Sequence, residues 1–259
     1  DFARTSWNLR RYLWAPALGC FGVQRIHRLP HVMILAGAGV GGGSLNFANT
    51  LYEPGSPFFN DPQWREIADW AAELAPHYAT AKRMLGVVEQ YPHTGPVERM
   101  MQGAAEDLGV GSTFRRAPVG VFLGTPGVRV PDPFFGGEGP ERTGCTLCGN
   151  CMVGCRVGAK NTLMKNYLAL AERRGAQIDA LRTVTRVREL PDGGFAVTSR
   201  RSGAWARPDE RTITASKVVL AAGTWGTQQL LHRMRASGDL PRVSPAIRVL
   251  TRTNSEALD

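Results

Sequence analysis

Cys145, Cys148, Cys151 and Cys155 put four thiols into eleven residues, a density that lets one short loop surround a small centre. The order C-x2-C-x2-C-x3-C is a spacing used for iron-sulfur ligation, and thiolates are the soft ligands such a centre needs. The residue after the last cysteine is Arg156, where the ferredoxin pattern has proline, and the only other cysteine is Cys20, so no second set exists and one cluster at most is implied. Zinc would also accept four thiolates, but structural zinc sites usually separate two C-x2-C pairs by a longer loop. Two disulfides are a third use, open in an oxidising compartment, although thiols two residues apart seldom reach disulfide geometry and the chain shows no secretory segment. The bland alternative is a packed cysteine-rich loop that braces a domain. Spacing licenses ligation without deciding among these.

The second segment with chemical character is HVMILAGAGVGGGSLNFANT, residues 31 to 50, where an apolar run meets a glycine-rich loop. Gly37-x-Gly39-x-x-Gly42 fits the dinucleotide fingerprint, in which glycines allow a tight turn and close approach of backbone amides to a pyrophosphate. The context does not: LYEPGSPFFNDP follows, a proline-broken loop instead of a helix and second strand. The segment reads as a glycine loop whose backbone lies against a flat or anionic ligand, with a tight structural turn as the alternative.

Elements must position these loops. Residues 61 to 85 read as a helix opened by Asp61 and Pro62, with Trp64, Ile67, Trp70, Ala71 and Leu74 at helical spacing, the tryptophans as core, and Pro76 breaking or kinking it. VERMMQGAAEDLGV reads as a second helix, and FRRAPVGVFLG and GVRVPDPFFGG as strand and loop. His77 and His93 stand alone and read as surface or packed residues. Residues 161 to 174 read as a helix closed by Gly175, followed by three strands in AQIDALRTVTRVREL, GGFAVTSRR and RTITASKVVLAAG. The run Val218, Val219, Leu220, Ala221, Ala222 predicts a strand buried on both faces, as in a parallel sheet, and Gly223 then turns the chain into the helix TWGTQQLLHRM, whose amino end suits a phosphate.

Composition bounds the rest. With 259 residues, 43% hydrophobic and 20% charged, the chain can bury a core in one or two domains, and no apolar run is long enough for a membrane helix. A net charge of +9 invites nucleic acid as a partner, but only four of the 31 basic residues are lysines, the arginines are scattered, and no recognition motif accompanies them; no nucleic acid is expected. A cytoplasmic location is expected. The chain opens at Asp1 without methionine and stops in TRTNSEALD with no closing element, which predicts a fragment.

In order, GAGVGGGSLNFANTLYEP, CTLCGNCMVGCRVGAKNTLMKNYLALAERRGAQI and VVLAAGTWGTQQLLHRM resemble the glucose-methanol-choline family of FAD-dependent oxidoreductases, in its cholesterol-oxidase-like bacterial branch. The resemblance implies a mixed α/β fold: part of a Rossmann-like FAD-binding domain with a β-meander, and part of a substrate or cap domain. Its implied divisions are 1–60, FAD-binding with the glycine loop; 61–140, substrate or cap; 141–235, FAD-binding with the cysteine loop; and 236–259, the start of the substrate domain. It implies that the dinucleotide βαβ unit precedes Asp1 and the catalytic histidine follows Asp259, so the isolated chain would bind FAD poorly and be inactive. Gly41, Gly42, Gly43 and Ser44 match the loop packed against the isoalloxazine, with Asn49 a looser polar match; Val184 matches the main-chain contact to adenine, and Ala221, Ala222 and Gly223 match the stretch by the adenosine and pyrophosphate. The implied reaction is hydride transfer from a sterol or other hydrophobic alcohol to flavin, with oxygen or another acceptor taking the electrons and the cysteine loop a candidate relay. A non-catalytic remnant or an iron-sulfur electron-transfer module is the alternative.

Overall fold

A computed structural model describes residues 2–89, 91–204 and 209–248; the end of the expected 236–259 division, from residue 249 on, lies outside the described residues. The fold is mixed α/β with small antiparallel sheets. A short helical turn (Leu9–Tyr12) and a two-residue strand pair (Trp14–Ala15 with Cys20–Phe21) precede a hairpin in which β1 (Gln24–Arg28) pairs with β2 (Met33–Gly37) in the register Ile26 opposite Leu35, and Leu29 N–H closes the turn on the Val32 carbonyl at 2.9 Å. The apolar run of residues 32 to 36 thus ends where the glycine loop begins.

Helix α1 is Trp70–Leu85, capped by Asp69, whose carboxylate accepts from Ala72 N–H at 3.1 Å; Pro76 lies within it. The expected start at Asp61 is corrected by this cap. Asp61 instead accepts from Gln63 N–H in a turn, and the indoles of Trp64 and Trp70 donate to the Phe58 and Trp64 carbonyls at 2.8 and 2.9 Å, holding the chain in successive turns. Both tryptophans are half-buried and not core. Helix α2 is Pro96–Asp107, opened by Glu98, which accepts from Gly95 N–H at 2.8 Å. The expected strand around FRRAPVGVFLG is reduced to bridges of Val119 to Thr50 and Val88 and of Val121 to Lys160, and Pro118 within it cannot donate to a ladder.

After the cysteine loop the expected helix is interrupted: Leu163–Lys165 form a 3-10 turn, and α3 is Tyr167–Arg173. Asn166, with φ −141° and ψ −101°, leaves helical space so that its side chain caps Tyr167 N–H at 2.6 Å. Gly175, at φ +90°, follows the helix as expected.

The three strands form an antiparallel meander of β3 (Arg182–Glu189), β4 (Phe195–Arg201) and β5 (Arg211–Ala215), with β4 central. Helix α4 (Gly223–Ala236) packs on it, burying Val187, Leu230, Met234 and Leu240 together. The run at 218–222 is not a strand. Val218 and Leu220 pack against this core while Val219 is 88% exposed, so the segment is covered on one side only and has no ladder partner among the described residues. Asp239 fastens the return from α4 to β3: its carbonyl accepts from Glu189 N–H at 3.0 Å, and its carboxylate accepts from Arg186 at 2.5 and 2.8 Å and from the Ser237 hydroxyl at 2.6 Å.

Candidate functional site

Strand β2 delivers the chain into a loop that folds back on the strand's own end. A Cβ on Gly37 would stand 2.5 Å from the Gly42 carbonyl oxygen and from Gly43 Cα, so only glycine permits this return. Gly41, at φ +106°, then enters the 3-10 turn Gly42–Leu45, and Leu45 plugs the loop at 3% exposure. Ser44 Oγ donates to the Gly41 carbonyl at 2.7 Å and accepts from Leu163 N–H at 2.9 Å. On the other side the loop is bare: among the described residues, apart from its chain neighbours, no heavy atom lies within 4 Å of where a Cβ on Gly42 or Gly43 would stand.

The cysteine loop docks beneath it. Lys160, 1% exposed, donates from Nζ to the carbonyls of Leu45 at 2.9 Å, Phe47 at 2.9 Å and Cys151 at 2.7 Å, with Nζ 4.7 Å from the centre of the Phe47 ring. Three acceptors use all three N–H groups of an ammonium, so the side chain is held as the cation. Burial still pulls its pKa down to about 8, against the opposing pull of Cys151 and Cys155. Asn49, in the left-handed region at φ 63°, sends Nδ2 to Cys151 Sγ at 2.9 Å. Two more sulfurs face backbone donors at 3.4 Å: Cys145 receives Leu147 N–H and Cys155 receives Lys160 N–H.

All four cysteines, with Val121, Ala159 and Lys160, line one cavity of about 20 Å³, and all four are free thiols, Cys148 the most exposed. Among the described residues no three histidine, cysteine or carboxylate side chains are arranged around a point where one metal ion would sit. The four sulfurs expected as metal ligands, of Cys145, Cys148, Cys151 and Cys155, thus share one cavity without surrounding such a point, and three of them accept separate N–H donors. Burial pushes the Cys145 thiol pKa up, with Leu147 N–H acting against it. A second cation backs the cavity: Arg142, 2% exposed, donates to the Gly158 and Ala159 carbonyls at 3.2 and 2.6 Å, and burial lowers its pKa to about 10.

Gly41, Gly42, Gly43, Ser44 and Asn49 are thus brought onto the cysteine loop. Val184, 39% exposed on the edge strand β3 beside a bulge, and Ala221, Ala222 and Gly223, exposed at the start of α4, belong to the meander instead. No hydrogen bond among the described residues joins them to the glycine loop; the hairpin meets α4 where His27 lies against Trp225, ring centres 5.1 Å apart. The sequence reading missed Lys160 and Arg142. A signal for Lys160 was present: in a chain that uses arginine for nearly every cation, a retained lysine marks a place where a compact ammonium is wanted.

Residues 140–239, from the entry to the cysteine loop through the meander and α4, match the family model of the GMC oxidoreductases. By that span and by the relatives below, the chain is similar to the glucose-methanol-choline oxidoreductases. It is 59% identical over 263 residues to a cholesterol oxidase of Mycobacterium tuberculosis, an alignment covering 100% of this chain and 45% of the relative. It is 41% identical over 267 residues to a cholesterol oxidase of Acinetobacter baumannii, covering 100% of this chain and 48% of that one. The chain spans about half the length of the curated relatives it matches.

Proposed function

We propose that this protein is an FAD-dependent oxidoreductase acting on the CH–OH group of a sterol or other hydrophobic alcohol, with oxygen or another acceptor reoxidising it. The carrying observation is the bare face of Gly42 and Gly43 on a loop otherwise fixed by Ser44, Leu45 and Lys160. FAD is the cofactor the family implies, and the residues present fit it: a flat ring needs backbone without side chains on one side and a rigid support on the other. FAD, when bound, supplies the hydride acceptor for the alcohol C–H. The chain's own part is to hold that loop in place: Ser44 ties it to Leu163, and Lys160 ties its exit to Cys151. Asn49 offers a polar side chain next to the loop, though its amide N–H is engaged by Cys151. The sterol class rests on the cholesterol oxidases at 59% and 41% identity.

Under the same proposal, residues 1–60 and 141–235 belong to a Rossmann-like FAD-binding domain, with Val184 and the Ala221–Ala222–Gly223 turn on the adenosine side. Residues 61–140 and 236–259 belong to the substrate side. The test is FAD titration, followed by anaerobic addition of cholesterol, on protein completed to the length of the relatives. Stoichiometric FAD and sterol-dependent bleaching are expected; a protein that neither binds FAD nor bleaches overturns the proposal.

A further inference from the structure

We propose that Cys145, Cys148, Cys151 and Cys155 hold one iron-sulfur cluster for which Lys160 and Arg142 are the built-in counter-charges. Two buried cations are the starting point. Lys160 and Arg142 are 1% and 2% exposed, and among the described residues neither has a carboxylate within ion-pair distance. Their hydrogen bonds all go to neutral carbonyls. The carboxylate that acts on Arg142 is Asp132, and it already accepts four backbone N–H groups, from Phe134, Phe135, Gly137 and Gly139. Buried charge without an opposite charge is costly, so this arrangement calls for an anion close by.

The cavity beside Lys160 can supply it. Four thiolates around a doubly cationic iron-sulfur core leave two negative charges, matching the two buried cations. Each ligation forms an iron–sulfur bond and breaks an S–H bond, the proton leaving to solvent, toward which Cys148 is open. Three N–H groups already point at sulfur, from Asn49, Leu147 and the Lys160 main chain, and such donors favour thiolate over thiol and tune a cluster's potential. All four sulfurs line that one cavity together with Lys160.

The test measures metal and not turnover, so its failure is separable from that of the flavin reading. Protein purified without oxygen, and the same protein reconstituted with ferrous ion and sulfide, is assayed for iron, acid-labile sulfide and zinc. Iron and sulfide in equal amounts are expected, and Cys148→Ser, an exposed position whose change spares the fold, should lower both about twofold or more. Lys160→Met should shift the cluster's reduction potential to more negative values, since a nearby cation stabilises the reduced form, while Lys160→Arg restores it. Zinc without sulfide, no metal after reconstitution, or full iron in the Cys148→Ser protein would each overturn the assignment, as would an unchanged potential in a folded Lys160→Met protein.

Discussion

Lys160 reaches across 115 residues of sequence to the Leu45 carbonyl, and the same ammonium also holds Phe47 and Cys151. Replacing Lys160 by methionine keeps the apolar stem and strips three carbonyls of their donor. The expected loss is about 3 kcal/mol, the cost of leaving buried acceptors unpaired. It would be read as a lower urea midpoint with an unchanged slope.

Gly37 and Gly43 should separate packing from binding. Gly37→Ala forces a Cβ into the backbone of Gly42 and Gly43 and is expected to destabilise the fold by about 2 kcal/mol or more. Gly43→Ala meets open space, so its thermal midpoint should be near that of the parent while flavin affinity falls about tenfold. Equal FAD affinity in parent and Gly43→Ala would show that the bare face is not the flavin surface.

Acid should release the joint between α4 and β3. The Arg186 guanidinium, and after it the Ser237 hydroxyl, hold the Asp239 carboxyl below its usual range. A depressed folded-state pKa gives stability that is full above the unfolded value, about 4, and is lost as pH falls through the folded one. Asp239→Asn should remove this part of the acid sensitivity, measured as the slope of the unfolding midpoint against pH below about 5.

Leu230 and Met234 carry the packing of α4 on the meander, each 5% exposed. Leu230→Ala should cost about 2 to 4 kcal/mol, the range for emptying a leucine site in a close-packed core. Circular dichroism during thermal unfolding would register it, and a change below about 1 kcal/mol would mean that α4 is not seated as described.

Much of this arrangement could be read in the residues, and the misses have physical causes. The meander was legible because Thr183, Val184, Val187 and Val197 sit in runs bounded by Pro191, Asp192 and Gly193, where local propensity and turn chemistry agree. The glycine loop was legible as a loop, but which glycine is indispensable depends on what each one touches, and that singles out Gly37. Helix α1 starts at Trp70 because two aspartates, Asp61 and Asp69, both suit a cap and sequence periodicity does not choose between them. Val219 shows the limit of apolar runs: five consecutive apolar residues looked doubly buried, yet Val218 and Leu220 turn inward alone. Lys160 was least visible of all, since its three partners come from two segments more than a hundred residues apart in one case and nine in the other.

That separation orders the events of folding. The hairpin of β1 and β2 needs only neighbours in sequence and can close early, and the loop that leaves it has local ties through Ser44 and Asn46, but its ties to the cysteine loop wait until Lys160 and Leu163 have been made. A ribosome must add more than a hundred further residues before the Leu45 and Phe47 carbonyls meet their donor. During that interval the exit of the glycine loop is a tether, and it is fastened only when the cysteine loop arrives.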